Sequence, residues 1–296
     1  LKHRFTKIGF PASAEELVSD ALERAGIANF AIERTGVNHI VQDDAFQFVV
    51  PPETTLYLTL DHETGLVVAD FLGELLPDAS ISCETGTWDD GQAMEEYRES
   101  HQPIQVTPTL TLKPFWRTND PASQGVVINT EPGGLFGSGG EHSTTMACLT
   151  LIQSHLQPGS VVADLGSGSG ILAVASIMLG AKSALCVEIE EMASEAIARL
   201  AELNGVANEK VDIVIGDVLN ISLDIEKYDM IYFNIGPKVT REFFTQYAAK
   251  LRPQTRIVLS GITLWAQNSV LDLFSTLGRT PLETISLDGE WVTFLL

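Results

Sequence analysis

The chain has 296 residues, 45% of them hydrophobic, and carries 39 Asp and Glu against 18 Lys and Arg for a formal net charge of −21. That length suits two domains and that apolar fraction fills a core, which excludes a wholly disordered chain. So acidic a surface repels phosphate backbones, which disfavours direct nucleic-acid binding, and it attracts a basic partner by long-range steering; solubility is the plainer use of the same charge.

The chain opens on Leu1 rather than Met, as a trimmed start would, and Lys2, His3 and Arg4 precede no long apolar region, so no secretory signal is expected. A strand is predicted over Phe5–Phe10. Ser13 and Glu16 then form a capping box that opens a helix, with Leu17, Val18, Ala21, Leu22 and Ala25 at helical spacing until Gly26. Strands follow at Phe30–Glu33, Phe46–Val50 and Leu56–Leu60, then a helix over Gly65–Leu76 before Pro77. This mixture predicts a small ferredoxin-like α+β domain over residues 1–77. Residues 78–102 turn polar and acidic and read as a linker, helical around Gln92–Ser100.

Strands Val106–Leu112 and Val126–Asn129 lead into the glycine-rich stretch Gly133–Gly140. Helix Thr145–His155, strand Val161–Leu165, helix Ile171–Leu179, strand Ala184–Ile189 and helix Met192–Asn204 come next. Strands Val211–Ile215 and Met230–Asn234, helix Val239–Leu251 and strand Arg256–Ser260 continue the series. Such alternation predicts an α/β domain over residues 103–296, a Rossmann-like parallel sheet with helices on both faces. Helix Gln267–Leu277 and strands Thr284–Leu287 and Trp291–Leu295 close the chain. Gly289 between these strands predicts that the last one pairs antiparallel. The longest apolar runs, such as Ile171–Ile177, are too short to span a bilayer, and a cytoplasmic address is expected. Cys83, Cys148 and Cys186 lie far apart and the six His are dispersed, so neither a disulfide framework nor a metal is expected.

Asp164-Leu165-Gly166-Ser167-Gly168-Ser169-Gly170 joins a strand to a helix. Glycines there admit close approach of a ligand, and the helix N-terminus offers unpaired N–H groups. The spacing is G-x-G-x-G, not the G-x-G-x-x-G that fits a pyrophosphate. Asp164 at the strand end would repel a phosphate but accepts hydrogen bonds from an ammonium. Glu188, with Ile189 after it, ends the next strand, where an acid accepts ribose hydroxyls. Asp217 follows the third strand, where a carboxylate takes the exocyclic amine of adenine. An amino-acid head, a ribose and an adenine in one molecule make S-adenosyl-L-methionine, so these residues predict that cofactor. Alone, Glu188 with Glu190 and Glu191 would be the acidic start of a solvated helix.

The segment Glu131-Pro-Gly-Gly-Leu-Phe-Gly-Ser-Gly-Gly-Glu-His-Ser-Thr-Thr145 resembles the D-P-G-x-A-F-G-T-G-x-H-x-T-T motif of the ribosomal protein L11 methyltransferase (PrmA) family. Asp164–Ala173, Tyr228–Ile235, Ser260-Gly261-Ile262 and Glu290-Trp291 are similar as well. The resemblance implies a ferredoxin-like module that docks the target and a seven-stranded methyltransferase domain. It also implies methyl transfer to lysine and N-terminal amines of a basic ribosomal protein. By the same resemblance Phe136 and Gly137 line the methionine end of the cofactor, and Thr145 and Asn234 lie beside the transferred methyl. Here Gly140-Glu141 adds one residue before His142, and Gly236-Pro237 replaces the family's usual leucine after Asn-Ile. Gly139-Gly140-Glu141 is therefore expected to be mobile, with Glu141 either solvated and inert or placing its charge near an incoming cation. A relative acting on another protein, a peptide or a small amine is the alternative. A cofactor-holding regulatory protein and an NAD-dependent oxidoreductase are further rivals, opposed by Asn234 with Thr145 and by Asp164 respectively.

Overall fold

On β1 (Lys2–Pro11) alternate side chains Thr6, Ile8 and Phe10 are buried, the period-two pattern of a strand with one face on a core. It opens the first of two units, Leu1–Ser100 and His101–Leu296, of a computed structural model that describes residues 2–24, 27, 31–33, 38–42, 45–49, 55–118, 124–133 and 135–296. In this unit β1 is followed by α1 (Glu15–Arg24), β2 (Ala31–Glu33), β3 (Asn38–Gln42), β4 (Ala45–Val49) and β5 (Thr55–Asp61). α2 (His62–Leu75), β6 (Ser82–Asp89) and α3 (Asp90–Ser100) complete it. The sheet order is β2-β5-β1-β6, antiparallel throughout, with β3 and β4 paired as a separate hairpin. That is the split β-α-β arrangement of a ferredoxin-like domain with a hairpin inserted. Ile8, Phe10, Val18, Leu22, Leu56, Leu58, Val68 and Leu72 form its core. A Cβ at Gly65 would overlap the Thr6 side chain, so glycine lets α2 lie close on β1.

Three expectations change here. Ser82–Asp89 is no linker but the edge strand beside β1; Ser82, Glu84 and Thr85 are exposed, and the polar sequence leaves no apolar alternation to read. Ser13 lies within a 3-10 turn, Ala12–Ala14, that precedes α1, not ahead of the helix as a cap. α2 begins at His62 because Asp61 caps it, accepting from the Thr64 N–H at 3.1 Å. The expected ends at Ala25, Gly26, Phe30 and Val50, and the Glu16 side chain, lie outside the described residues.

The second unit opens with a small sheet of β7 (Ile104–Thr107), β8 (Leu110–Pro114) and β9 (Val126–Thr130). The single strand expected over 106–112 is a hairpin instead, since Pro108 has no N–H for a ladder and turns the chain. Then follow α4 (Ser143–His155), β10 (Val161–Leu165), α5 (Ile171–Met178), β11 (Ser183–Glu188), α6 (Ala193–Leu203), β12 (Val211–Ile215) and β13 (Met230–Asn234). α7 (Pro237–Tyr247), β14 (Arg256–Thr263), α8 (Gln267–Thr276), β15 (Glu283–Ile285) and β16 (Trp291–Leu295) end the chain.

The main sheet has the order β12-β11-β10-β13-β14-β16-β15, parallel from β12 to β14, with β16 antiparallel to both neighbours as expected from the closing strands. Successive residues of each central strand serve opposite cores. Val162, Tyr232 and Val258 belong to the core of α4, α5 and α6, while Ala163, Phe233 and Leu259 belong to that of α7 and α8. Burial on both faces explains why these strands are largely apolar and do not alternate. From β10 the chain winds outward through β11 and β12 and then restarts at β13 on the other side. The crevice at the carboxyl ends of β10 and β13 is therefore the topological switch point, where open sheets of this kind bind ligands. Asn204, at the end of α6, ties that helix to β9, accepting from the Asn129 N–H at 2.8 Å and donating to its carbonyl at 2.9 Å. Among the described residues no helix is long and apolar enough to cross a membrane.

Candidate active site

The turn from β10 to α5 is built from backbone that only glycine adopts without strain: Gly166, Gly168 and Gly170 have φ of +75°, +53° and +77°. Neighbours close around it. A Cβ on Gly166 would stand 2.5 Å from Ile235, and one on Gly168 would stand 2.6 Å from the Phe136 carbonyl oxygen. The Gly166 and Ser167 N–H groups donate to the Val187 carbonyl at 2.8 and 3.0 Å, and Ser169 N–H donates to Phe136 O at 3.1 Å. Ser169 is buried and its Oγ has no partner among the described residues.

The three predicted acids are held differently. Glu188, half-buried at the end of β11, accepts from Gly168 N–H at 2.7 Å on one oxygen and from Ile189 and Glu190 N–H at 2.8 and 3.4 Å on the other. A carboxylate has about four acceptor positions, so Glu188 braces the loop and still has capacity for a ligand hydroxyl. Asp164 is 2% exposed and accepts from Ala173 N–H at 3.2 Å, inside the first turn of α5. Burial pushes its pKa from 3.8 up to about 7; the Ala173 hydrogen bond opposes the rise and the Glu188 charge adds to it. Asp217 closes the turn after β12, accepting from Leu219 N–H at 2.9 Å and Asn220 Nδ2 at 2.7 Å. Each of its oxygens thus accepts one bond within the chain and keeps a further acceptor position. Ile189 beside Glu188 is 62% exposed, an apolar wall at the mouth of the crevice.

Residues 131–142 cross over this loop. The Phe136 ring is half-exposed, 5.2 Å from His142, which in turn meets Trp291 edge-on at 5.5 Å. Gly137 lies against α5: a Cβ there would stand 3.3 Å from Ile171 and 3.6 Å from Thr145 Oγ1. Gly140 is pinned, contrary to the mobility expected of adjacent glycines. It is buried at φ +74°, its N–H donates to Gly137 O at 3.0 Å, and a Cβ would collide with Leu112. Glu141 reaches His101 Nε2 at 3.5 Å, so its carboxylate has a partner within the fold.

Asn234 ends β13, and its Nδ2 lies 3.4 Å from the hydroxyl of Thr144, not of Thr145. Successive helical residues point about 100° apart, so Thr144 turns toward β13 while Thr145 turns toward Gly137. Asn234 Oδ1 is buried without a partner among the described residues. Thr144 and His142 are additions to the predicted set, and the pairing of Thr144 with the β13 end is a tertiary fact that spacing does not carry. A cavity of about 200 Å³ lies between residues 131–138 and α6, lined by Leu135, Met192, Ala196 and Leu200 and touching the glycine loop only at Ser169; none of Gly166, Glu188, Asp217 or Asn234 lines it.

A family model described as ribosomal protein L11 methyltransferase (PrmA) matches residues 5–296. The ribosomal protein L11 methyltransferase of Pelotomaculum thermopropionicum is 30% identical over 296 residues, covering 95% of this chain and 94% of that relative. Its counterpart from Listeria monocytogenes serotype 4a is 32% identical over 209 residues, which are 70% of this chain and 65% of the relative. The solved structure of ribosomal protein L11 methylase from Lactobacillus delbrueckii subsp. bulgaricus superposes with a TM-score of 0.58 at 25% identity, covering 66% of this chain and 97% of that one. With the family motif folded over a glycine loop at the switch point of a seven-stranded sheet, the match over almost the whole length shows that this chain is a methyltransferase of the ribosomal protein L11 methyltransferase (PrmA) family.

Proposed function

We propose that this chain transfers the methyl group of S-adenosyl-L-methionine to amines, lysine side chains and the N-terminal amine, of ribosomal protein L11. The observation that carries the reading is Asn234 Oδ1: a buried acceptor with no partner, at the switch point beside the glycine loop. Such an atom awaits a donor, since an unmade buried hydrogen bond is costly.

The residues around the loop fit the cofactor. A side chain at Gly166 or Gly168 would run into Ile235 or the Phe136 carbonyl and force the loop open, and Glu188 has acceptor capacity left for the ribose. Asp164, Gly170, Phe136, Gly137 and Thr145 complete the proposed binding set, with Ile189 against the adenine. Asp217 holds its own turn with two accepted hydrogen bonds and keeps acceptor positions for the adenine amine. The bound cofactor supplies an electrophilic methyl on a sulfonium. The chain's residues have to deliver a neutral amine to it. In water a lysine amine has a pKa of roughly 10.4, and desolvation in a polar but uncharged pocket lowers it. Asn234 Oδ1 accepts one amine N–H and so aims the lone pair; orientation of this kind is a large part of catalysis in a transfer that needs no strong base.

The N-terminal unit is proposed to dock the protein target. On α2, Leu66, Val67 and Phe71 are exposed at 42%, 70% and 41%, among the exposed acids Glu63, Asp70 and Glu74. An apolar stripe with an acidic border suits a basic protein surface. Incubation with labelled S-adenosylmethionine and purified L11, followed by mapping of the label, tests the whole reading. Label on amines of L11 supports it. A relative acting on another protein or a small amine is the second reading, motivated by Gly140-Glu141 and Gly236-Pro237; label absent from L11 but present on another amine in a lysate would favour it.

A further inference from the structure

Thr144 sits in the first turn of α4, 1% exposed, between His142 and Asn234, and the three can be read as a directed chain of hydrogen bonds. The Thr144 backbone N–H donates to His142 Nδ1 at 3.3 Å, so that ring nitrogen presents a lone pair. The Thr144 hydroxyl is 2.8 Å from the same nitrogen and therefore gives its proton to it. Its oxygen then has only lone pairs to offer, so what faces it from Asn234 at 3.4 Å is the amide NH2, a donor. Carboxamide O and N are told apart by such networks, and this one turns Asn234 Oδ1 away from Thr144, buried and unpaired. His142 is itself fixed, capping α4 through Nδ1 and held by ring contacts at 5.2 Å to Phe136 and 5.5 Å to Trp291.

We infer that His142 and Thr144 are positioning residues that lock the Asn234 carboxamide with its oxygen toward the reacting amine. The inference rests on the amine-acceptor reading of Asn234 proposed above. A carboxamide released from Thr144 can rotate by half a turn and present NH2 at the same place. A donor there binds the lone pair of a neutral amine, the electrons that must attack the methyl, whereas the oxygen binds an N–H and leaves the lone pair free. The relay thus distinguishes two orientations that fill the same space and differ only in what they offer the nucleophile. The histidine of the 131–145 motif thereby acquires a role, because its ring nitrogen, with a lone pair and no proton, sets the polarity of the whole chain of bonds. Trp291, from the last strand, packs edge-on against that ring.

The test is steady-state kinetics with S-adenosylmethionine and L11 for Thr144→Val, Thr144→Ser, His142→Ala and Asn234→Ala, with S-adenosylhomocysteine affinity and thermal unfolding measured for each. Thr144→Val removes the hydroxyl and little volume. It is expected to lower kcat by roughly tenfold or more while KM for L11 and cofactor affinity stay within about twofold, and Thr144→Ser, which keeps the hydroxyl, to restore most of the rate. If Thr144→Val does not fold, His142→Ala, at a half-buried side chain, carries the same expectation for kcat. Parental kcat in Thr144→Val, or equal loss in the Val and Ser variants, overturns the relay. Loss in Asn234→Ala with full activity in Thr144→Val overturns the relay and leaves the amine-acceptor role standing. Full activity in Asn234→Ala removes that role and the relay with it.

Discussion

Asp164 and Glu188 are both carboxylates at strand ends, yet the fold treats them in opposite ways. Asp164, taken out of water, has its pKa pushed to about 7, above its ordinary 3.8. Its protonated form favours the fold, so that contribution is fully present below about pH 3.8 and is lost as the pH rises through about 7, on the order of 4 kcal/mol across the window. Asp164→Asn stays neutral and keeps an acceptor for Ala173. The ligand-free variant is expected to melt higher than the parent at pH 8, with the gap closing toward pH 4. A ligand ammonium would reverse this balance by favouring the ionised acid, so the variant should also lose cofactor affinity. Thermal scans at the two pH values decide it; a variant that melts lower than the parent at pH 8 would mean that other groups already compensate the buried charge. Glu188, half-buried and bonded to three backbone N–H groups, braces the glycine loop, a duty that its position at a strand end does not disclose, beside the ribose-binding role proposed for it. Hydrogen bonds to a charged acceptor contribute ~1.5–3 kcal/mol each, so Glu188→Ala is expected to weaken S-adenosylmethionine binding at least tenfold by calorimetry. Unchanged affinity in a folded variant would remove Glu188 from the site.

Elements whose sequence period matches their burial were legible, and those decided by tertiary contacts were not. β10, β13 and β14 are mostly apolar because they are buried on both faces, and α5 follows the glycine turn directly. β6 lies at a sheet edge with no apolar face to betray it, and β7 and β8 are divided by Pro108 within a run that otherwise reads as one strand. The 131–142 segment shows the same limit at the site itself. Adjacent glycines imply freedom, but Gly140 is glycine because Leu112 leaves no room for a side chain at φ +74°. Gly140→Ala should therefore destabilise the unit by at least ~1–2 kcal/mol, from the left-handed backbone alone, and disturb Gly137 and Phe136 over the cofactor loop. Denaturant unfolding beside cofactor titration would show it. Gly133→Ala, whose nearest neighbour to a new Cβ is the Glu131 carbonyl at 3.7 Å, is the contrasting control. Equal stability of Gly140→Ala and the parent would mean that the segment is not held where the hydrogen bond to Gly137 places it. Glu141 beside it is 62% exposed, and a surface pair with His101 contributes only about 0–1 kcal/mol, so Glu141→Gln should leave stability unchanged.

At the scale of the whole molecule, the two units divide the proposed work. Every residue proposed to bind cofactor lies in His101–Leu296, and that unit holds two cores of its own, one on each face of its sheet. A fragment beginning at His101 is therefore expected to bind S-adenosylhomocysteine with the affinity of the full chain and to lose turnover on a protein acceptor. Within the full chain, a gentler change makes the same distinction. Leu66, Val67 and Phe71 are exposed on α2, so replacing all three by Ser removes apolar surface that the fold does not use. Thermal stability and cofactor affinity should then stay as they are, while KM for L11 rises severalfold with kcat nearly constant, the signature of lost ground-state binding to a remote surface. The net charge of −21 adds a second handle, because steering of a basic acceptor weakens as the Debye length shrinks from about 10 Å at 0.1 M salt to about 3 Å at 1 M. The KM of the parent should rise over that range more steeply than that of a neutral small amine. If the triple variant and the His101 fragment both methylate L11 as the parent does, the N-terminal unit is not the docking module, and recognition must lie in the methyltransferase unit around Phe136 and Trp291.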